Sequence, residues 1–303
     1  MNRNFSDIYS PYLPAAKQGE TAHRYVLGLY HIMDELTTRF PEILFEGCSS
    51  GGNRFDLGIL SYFPQIWASD NTDALCRTGI QNSYSYGYPL SVFTAHVSSC
   101  PNHQTLRITP LETRFQVASF GILGYECNLK DLSGSDLNAI REQIALYKKW
   151  REVFQYRGTE NEDSDSETLS WTCVSPDGRR AVGLFFRRLA VPNQSHDWYR
   201  PVGLLPDVKY HFYGRNIKYN LKDFGDLVNT VSPVHIKQGS ALQEILSRFV
   251  NMDGEKEDLT AYGDTLMRAG IALKPAFAGT GYNSDTRLFP DFSSRIYFME
   301  AVE

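Results

Sequence analysis

The sequence has no hydrophobic run near the roughly 18 residues that a membrane-spanning helix needs, so nothing in it reads as a transmembrane segment. Near Met1 there is no basic stretch followed by an apolar one, and no secretory leader is expected. An excess of charge is missing too. Thirty-five acids face 30 bases, a net charge of −5, and without a strongly basic field neither nucleic acid nor anionic membrane is expected as a partner. Cysteine is sparse: Cys48, Cys76, Cys100, Cys127 and Cys173 are scattered, odd in number and without a C-x-x-C pair. That pattern speaks against a disulfide framework or a zinc ribbon and fits reduced thiols in a cytoplasmic setting. What remains is ordinary globular composition, 42% apolar and 13% aromatic over 303 residues, enough for about two domains at roughly 150 residues each.

Hydrophobic spacing organises the first part. Ala22, Tyr25, Val26, Leu29, Ile32, Met33 and Leu36 recur at three and four, which predicts a helix ending near Phe40-Pro41. A strand is expected next at Ile43-Leu44-Phe45-Glu46, and another at Gln65-Ile66-Trp67-Ala68. Asp70-Asn71-Thr72-Asp73 then offers caps for a helix through Cys76 and Ile80. A β-prone run covers 89–97, and helical spacing returns over 111–123 and from Leu137 to Phe154. Strands alternating with helices point to a parallel α/β sheet or barrel.

Between 158 and 170, Glu160, Glu162, Asp163, Asp165 and Glu167 accumulate without a lysine or arginine, which reads as a solvated linker. Beyond it, segments 171–174 and 181–188 flank the turn Pro176-Asp177-Gly178, a hairpin signature. Further short segments at 208–213, 272–277 and 295–299 suggest an antiparallel sandwich, while 241–250 fits either a helix or a strand.

Three places could carry chemistry. Gly47-Cys48-Ser49-Ser50-Gly51 fits G-x-S-x-G after a strand, which would make Ser49 a hydrolase nucleophile; the bland alternative is a glycine-rich turn that lets a ligand approach the backbone. Asp70 stands just past a strand end, where α/β barrels keep catalytic groups, although it could equally cap the next helix with Asp73 in its first turn. His96, Cys100 and His103 have a spacing that could in principle hold a metal, but Pro101 breaks any single face and packed histidines explain them as well; no metal is expected. Trp67, Tyr84, Tyr86 and Tyr88 could form a sugar-stacking platform or simply pack.

Several strings, in order along essentially the whole chain, resemble the glycoside hydrolase family 36 α-galactosidases. They are Met1-Asn2-Arg3, the run A-H-R-Y-V-L-G-L at 22–29, residues 45–52 with Arg54-Phe55-Asp56, and Ser69-Asp70-Asn71-Thr72-Asp73-Ala74. Residues 96–104, Thr109-Pro110-Leu111-Glu112-Thr113-Arg114, Gly279-Thr280-Gly281 and 291–297 complete the set. The resemblance implies the latter half of a (β/α)8 barrel at 1–157, a linker at 158–170 and a C-terminal antiparallel β-sandwich at 171–303, an α/β part followed by an all-β part.

The resemblance also assigns roles. The acid/base of these retaining enzymes, the first aspartate of S-D-N-T-D, maps onto Asp70. The nucleophile, the aspartate of K-W-D-M-N-R, maps to the position just before Met1, so this stretch by itself is expected to be an inactive fragment. Asn2, Cys48 and Gly51 are implied contacts around the sugar's 2-hydroxyl, with Asn53 standing where many members carry glycine. Substrates would be raffinose- or melibiose-type α-galactosides, with no cofactor, and a tetramer is plausible by family analogy alone. The rivals are a serine hydrolase using Ser49 and a non-catalytic carbohydrate-binding remnant.

Overall fold

The computed structural model describes residues 8–155, 167–192, 196–230, 232–277 and 285–302. The chain divides into two compact units, residues 1–151 and 152–303. Of the acidic stretch 158–170, residues 158–166 lie outside the described ones, and an ordered strand begins inside it at Thr168. The Gly279-Thr280-Gly281 string also lies outside the described residues.

The first unit runs α1 (Glu20–Arg39), β1 (Glu46–Gly47), α2 (Leu57–Leu60), β2 (Gln65–Trp67), α3 (Ala74–Ser85), β3 (Phe93–Ser98), α4 (Leu111–Ala118), β4 (Ile122–Glu126) and α5 (Gly134–Phe154). Its four strands pair in parallel in chain order, with Gly47 opposite Ile66, Ile66 opposite Phe93 and Ala95 opposite Leu123. Alternation along β3 separates two faces. Ala95 and Val97 pack with Phe115 and Ala118 of α4 and with Tyr147 of α5, while His96 on the other side stacks on Trp67. Buried Gln81 fastens α3 to the end of α4, its Nε2 donating to Val117 O and Phe120 O at 3.0 Å each.

Three sequence expectations need correction. The strand set at residues 43–46 is only Glu46–Gly47, and Ile43 and Leu44 are exposed; among the described residues β1 pairs with β2 alone, and that ladder starts at Glu46 opposite Gln65. Helical spacing over 111–123 hid a boundary: α4 stops at Ala118, and Ile122-Leu123 opens β4, whose apolar residues merely prolong a three-and-four rhythm. The capping role offered to Asp70 belongs to Asp73, whose side chain accepts from Leu75 N at 2.9 Å.

The second unit comprises β5 (Thr168–Val174), β6 (Arg180–Arg187), β7 (Trp198–Tyr199), β8 (Lys209–Gly214), β9 (Lys218–Asn220), α6 (Ala241–Phe249), β10 (Asn251–Asp253), β11 (Asp258–Tyr262), α7 (Gly263–Arg268), β12 (Ile271–Ala272) and β13 (Ser293–Ala301). Five strands form an antiparallel sheet in the order β11-β8-β13-β6-β5, and β9–β10 and β7–β12 make two smaller pairs. The turn between β5 and β6 is the one the sequence announces. Gly178 takes φ +69° there, and Asp177 accepts from Ser175 Oγ and Arg179 N. One face of the sheet buries Phe185, Tyr210, Phe212, Tyr297 and Met299 against Tyr199 of β7, Ile271 of β12 and Leu266 of α7. The segment left open between helix and strand is helix α6, capped by Ser240.

Candidate active site

Asp70 emerges where β2 ends, after Trp67-Ala68-Ser69, and is solvent-exposed. The polar residues around it are committed to the loop. Ser69 Oγ accepts from Asn71 N, Asn71 Oδ1 accepts from Asp73 N, and Thr72 receives Ser98 Oγ on its carbonyl and Asn102 Nδ2 on its hydroxyl. Buried Asp73, besides capping α3, pairs with Arg107 and accepts from Thr105 Oγ1. Asp70 by contrast takes one hydrogen bond among the described residues, from Trp67 Nε1 to Oδ1 at 3.0 Å. Of the string Ser69 to Asp73 it is the carboxyl left facing solvent, which is what a proton donor to an incoming substrate requires.

Trp67 is itself held. Its ring stacks on His96 with centroids 4.4 Å apart, and the Arg77 guanidinium lies 4.3 Å from the ring centroid. His96 Nδ1 lies 3.2 Å from Glu126 Oε2. Arg77 donates through Nη2 to Ser69 O at 2.9 Å. Burial lowers its pKa to about 10, against the opposing pull of Glu126 and Asp70.

The glycine-rich turn after β1 abuts the same strand end. Ser50, Gly51 and Gly52 take φ of 49°, 68° and 89° in succession. A Cβ on Gly51 would sit 2.2 Å from Asp70 N and 2.6 Å from Ser69 Cα, and one on Gly52 would sit 2.4 Å from Ala68 O. Glycine here is thus both a dihedral and a clearance requirement. Gly51→Ala is expected to displace the Asp70 backbone. In an active barrel containing this chain it should cost more than tenfold in kcat, since a displacement of about 1 Å can cost about a hundredfold, and lower the melting temperature. Wild-type kcat and melting temperature in that variant would show that the turn does not set the position of Asp70.

The remaining sequence candidates fall out differently. Ser49 is buried, the left-handed position belongs to Ser50, and the next helix after the turn does not begin until Leu57. The strained, exposed serine of a nucleophile elbow is therefore not formed, because the chain needs its turn to fold Gly51 and Gly52 onto β2. Cys48 is half-buried and lines, with Leu29, Met33, Leu36, Ile59 and Phe63, a cavity of about 310 Å³. Asn2 lies outside the described residues. His96 is taken up by Trp67 and Glu126, Cys100 and His103 are exposed, and no metal-holding group of His, Cys, Asp and Glu occurs among the described residues. The aromatics do not share one platform: Tyr84 and Tyr88 stack on Phe55, Tyr86 is exposed, and Trp67 is buried.

Trp67 as a hydrogen-bond donor and Arg77 as a buried cation were missed at the sequence level. Only the placement of an arginine four residues after the Asp73 cap, on the buried side of α3, could have hinted at the second.

Comparison with known proteins places this geometry in a family. Residues 1–157 match the melibiase family model, and residues 168–299 match the glycosyl hydrolase family 36 C-terminal domain. Alpha-galactosidase 1 of Pediococcus pentosaceus is 47% identical over 69% of this chain and 29% of its own length. Alpha-galactosidase AgaA of Geobacillus stearothermophilus is 44% identical over 72% of this chain and 30% of its own. The crystal structure of an AgaA variant in complex with raffinose aligns with all of this chain at a TM-score of 0.75 and 36% identity, over 35% of the solved chain. The Lactobacillus brevis α-galactosidase aligns likewise at 0.77 and 34%, again over 35% of its chain. This sequence thus spans about a third of the proteins it matches. With family models accounting for both of its units and α-galactosidase structures aligned along its whole length, the chain belongs to the α-galactosidases of glycoside hydrolase family 36.

Proposed function

We propose that this chain supplies the acid/base half of a retaining α-galactosidase barrel together with the β-domain that follows it. The observation that carries the reading is Asp70, an exposed carboxyl at a parallel-strand end whose neighbours in Ser69 to Asp73 are consumed in holding the loop. In this mechanism Asp70 protonates the departing glycosidic oxygen while a second carboxylate, about 5 Å away, attacks the anomeric carbon. Asp70 then takes a proton from the water that opens the glycosyl-enzyme. The family pattern gives that second carboxylate to the aspartate of K-W-D-M-N-R, a string that residues 1–303 do not contain. Asn2, Cys48 and Gly51 serve the sugar's 2-hydroxyl, where a thiol and bare backbone leave little room for an acetamido group.

Raffinose- and melibiose-type α-galactosides are the substrates, a choice supported by solved relatives in complex with raffinose and stachyose. The setting is cytoplasmic carbohydrate breakdown, a reading supported by five cysteines that form no disulfide among the described residues. Self-association to a tetramer rests on family analogy, and no nucleic-acid or membrane partner is proposed. No helix among the described residues is long and apolar enough to cross a membrane.

The test compares the 303-residue chain alone with the chain joined to a barrel half that carries the nucleophilic aspartate. The joined protein should hydrolyse an aryl α-galactoside and strongly prefer it over the α-N-acetylgalactosaminide, and the chain alone should hydrolyse neither. Turnover by the isolated chain that survives Asp70→Ala would overturn the mechanism, and equal efficiency on the two sugars would remove Cys48 and Gly51 from the site.

A further inference from the structure

Arg77 is an expensive residue in its position. It is buried on α3, and among the described residues its Nε and Nη1 find no hydrogen-bond partner and its one hydrogen bond goes to Ser69 O. An apolar side chain would pack there without the desolvation that lowers the guanidinium to about 10. Gln81, one turn further along α3, has no partner for Oε1 among the described residues. Arg77 and Gln81 line, with Thr72, His96 and Arg114, a cavity of about 10 Å³, close to the least volume that holds one water. A buried cation with this little compensation calls for an explanation beyond packing.

Its two contacts supply one. Nη2 fixes the carbonyl of Ser69, the residue directly before Asp70. The guanidinium lies over the indole whose N–H donates to Asp70 Oδ1. A cation on an indole face draws electron density from the ring and makes the N–H a better donor. We infer that Arg77 is a positioning residue for Asp70, gripping its strand end through Ser69 O and strengthening, through Trp67, the hydrogen bond that selects one carboxyl rotamer. An exposed aspartate without this hold samples several rotamers, and proton transfer needs its oxygen within about 3 Å of the leaving oxygen. The inference rests on Asp70 being the acid/base. Because Arg77 is buried beneath the loop, its loss should act on kcat and leave substrate affinity nearly intact.

The test uses the active barrel containing this chain, with raffinose and an aryl α-galactoside. Arg77→Met should lower kcat for raffinose about 10- to 100-fold with KM within about twofold, and slow cleavage of the aryl substrate less, since that leaving group needs little protonation. Arg77→Lys should recover part of the loss, because it keeps the charge without the fork that reaches both partners. Trp67→Phe keeps a ring under Arg77 but removes the donor, and should reproduce the split between substrates. In the 303-residue chain, the Trp67 indole N–H resonance, identified by its loss in Trp67→Phe, should move in Arg77→Met while the other three of the four tryptophans stay put. A raffinose kcat within twofold of wild type in both Arg77→Met and Trp67→Phe overturns the inference. If Arg77→Met does not fold, Trp67→Phe decides by the same criterion. Asp70→Ala at wild-type rate would overturn the acid/base assignment instead, and neither Arg77→Met nor Trp67→Phe can mimic that result.

Discussion

In a barrel completed with the nucleophile, Asp70→Ala should slow hydrolysis of raffinose by about 10²- to 10⁴-fold, the range that a positioned general acid contributes. The sucrose cleaved from raffinose departs as an alkoxide unless it is protonated, so both the first and second steps suffer. A nitrophenyl galactoside needs little help to leave; its first step survives, the glycosyl-enzyme accumulates, and the slow step becomes attack by water without a base. Added azide, a nucleophile that has no proton to lose, should restore turnover of the aryl substrate and yield α-galactosyl azide. Rapid-quench analysis of product formation with and without azide measures both effects. If azide leaves the rate unchanged and no galactosyl azide forms, the exposed carboxyl beyond the end of β2 serves the loop rather than the reaction.

Local features of this architecture are legible in the sequence. The apolar stripe from Ala22 to Leu36 became α1, and Pro176-Asp177-Gly178 became the β5–β6 turn, because each depends on residues near in sequence. Asp70 was legible as a strand-end carboxyl, and the motif around it carried the family. What stayed hidden depends on what the chain meets at a distance. Nothing local distinguishes Ile122-Leu123 as β4 from a continuation of α4; pairing with Thr94 and Ala95 makes the difference. The sequence offers Asp70 as a cap for α3 with Asp73 in the first turn, yet Asp73 is the cap; Thr105 and Arg107, more than thirty residues on, hold its carboxyl at the helix start. The glycines at 51 and 52 could be read as a turn, but that the turn lies on the Asp70 amide is a property of β1 beside β2. The Trp67–Arg77 arrangement likewise has no short motif, since a strand residue and a helix residue meet only after the crossover between them is made.

The largest stability effect is expected in the second unit, from Asp197→Ala. Asp197 is 8% exposed, and its Oδ2 accepts from Arg187 Nη2 at 2.6 Å and Arg287 Nη2 at 2.5 Å, guanidinium groups that are 2% and 0% exposed. Both lie against the Phe289 ring, at 4.8 and 4.7 Å from its centroid, with Arg295 at 5.0 Å. Glu255 answers Arg295 at 2.6 Å, so removing Asp197 leaves Arg187 and Arg287 as two like charges deep in a low-dielectric core. Breaking such a buried pair from one side costs about 3–5 kcal/mol, whereas an exposed pair is worth about 1 kcal/mol or less. At about 2–4 °C per kcal/mol for a unit of this size, Asp197→Ala should lower its melting transition by roughly 6–20 °C. Glu244→Ala, which breaks the exposed pair with Lys222, should move it by a few degrees at most. Calorimetry of the two variants provides the comparison. The triple change Asp197→Leu, Arg187→Met and Arg287→Met removes the charges together, and it should recover much of the loss because the penalty comes from uncompensated charge rather than from missing volume. Equal melting of Asp197→Ala and wild type would mean that the guanidinium groups find water or other acceptors on losing Asp197, and that the network does not hold β6 to the chain before β13.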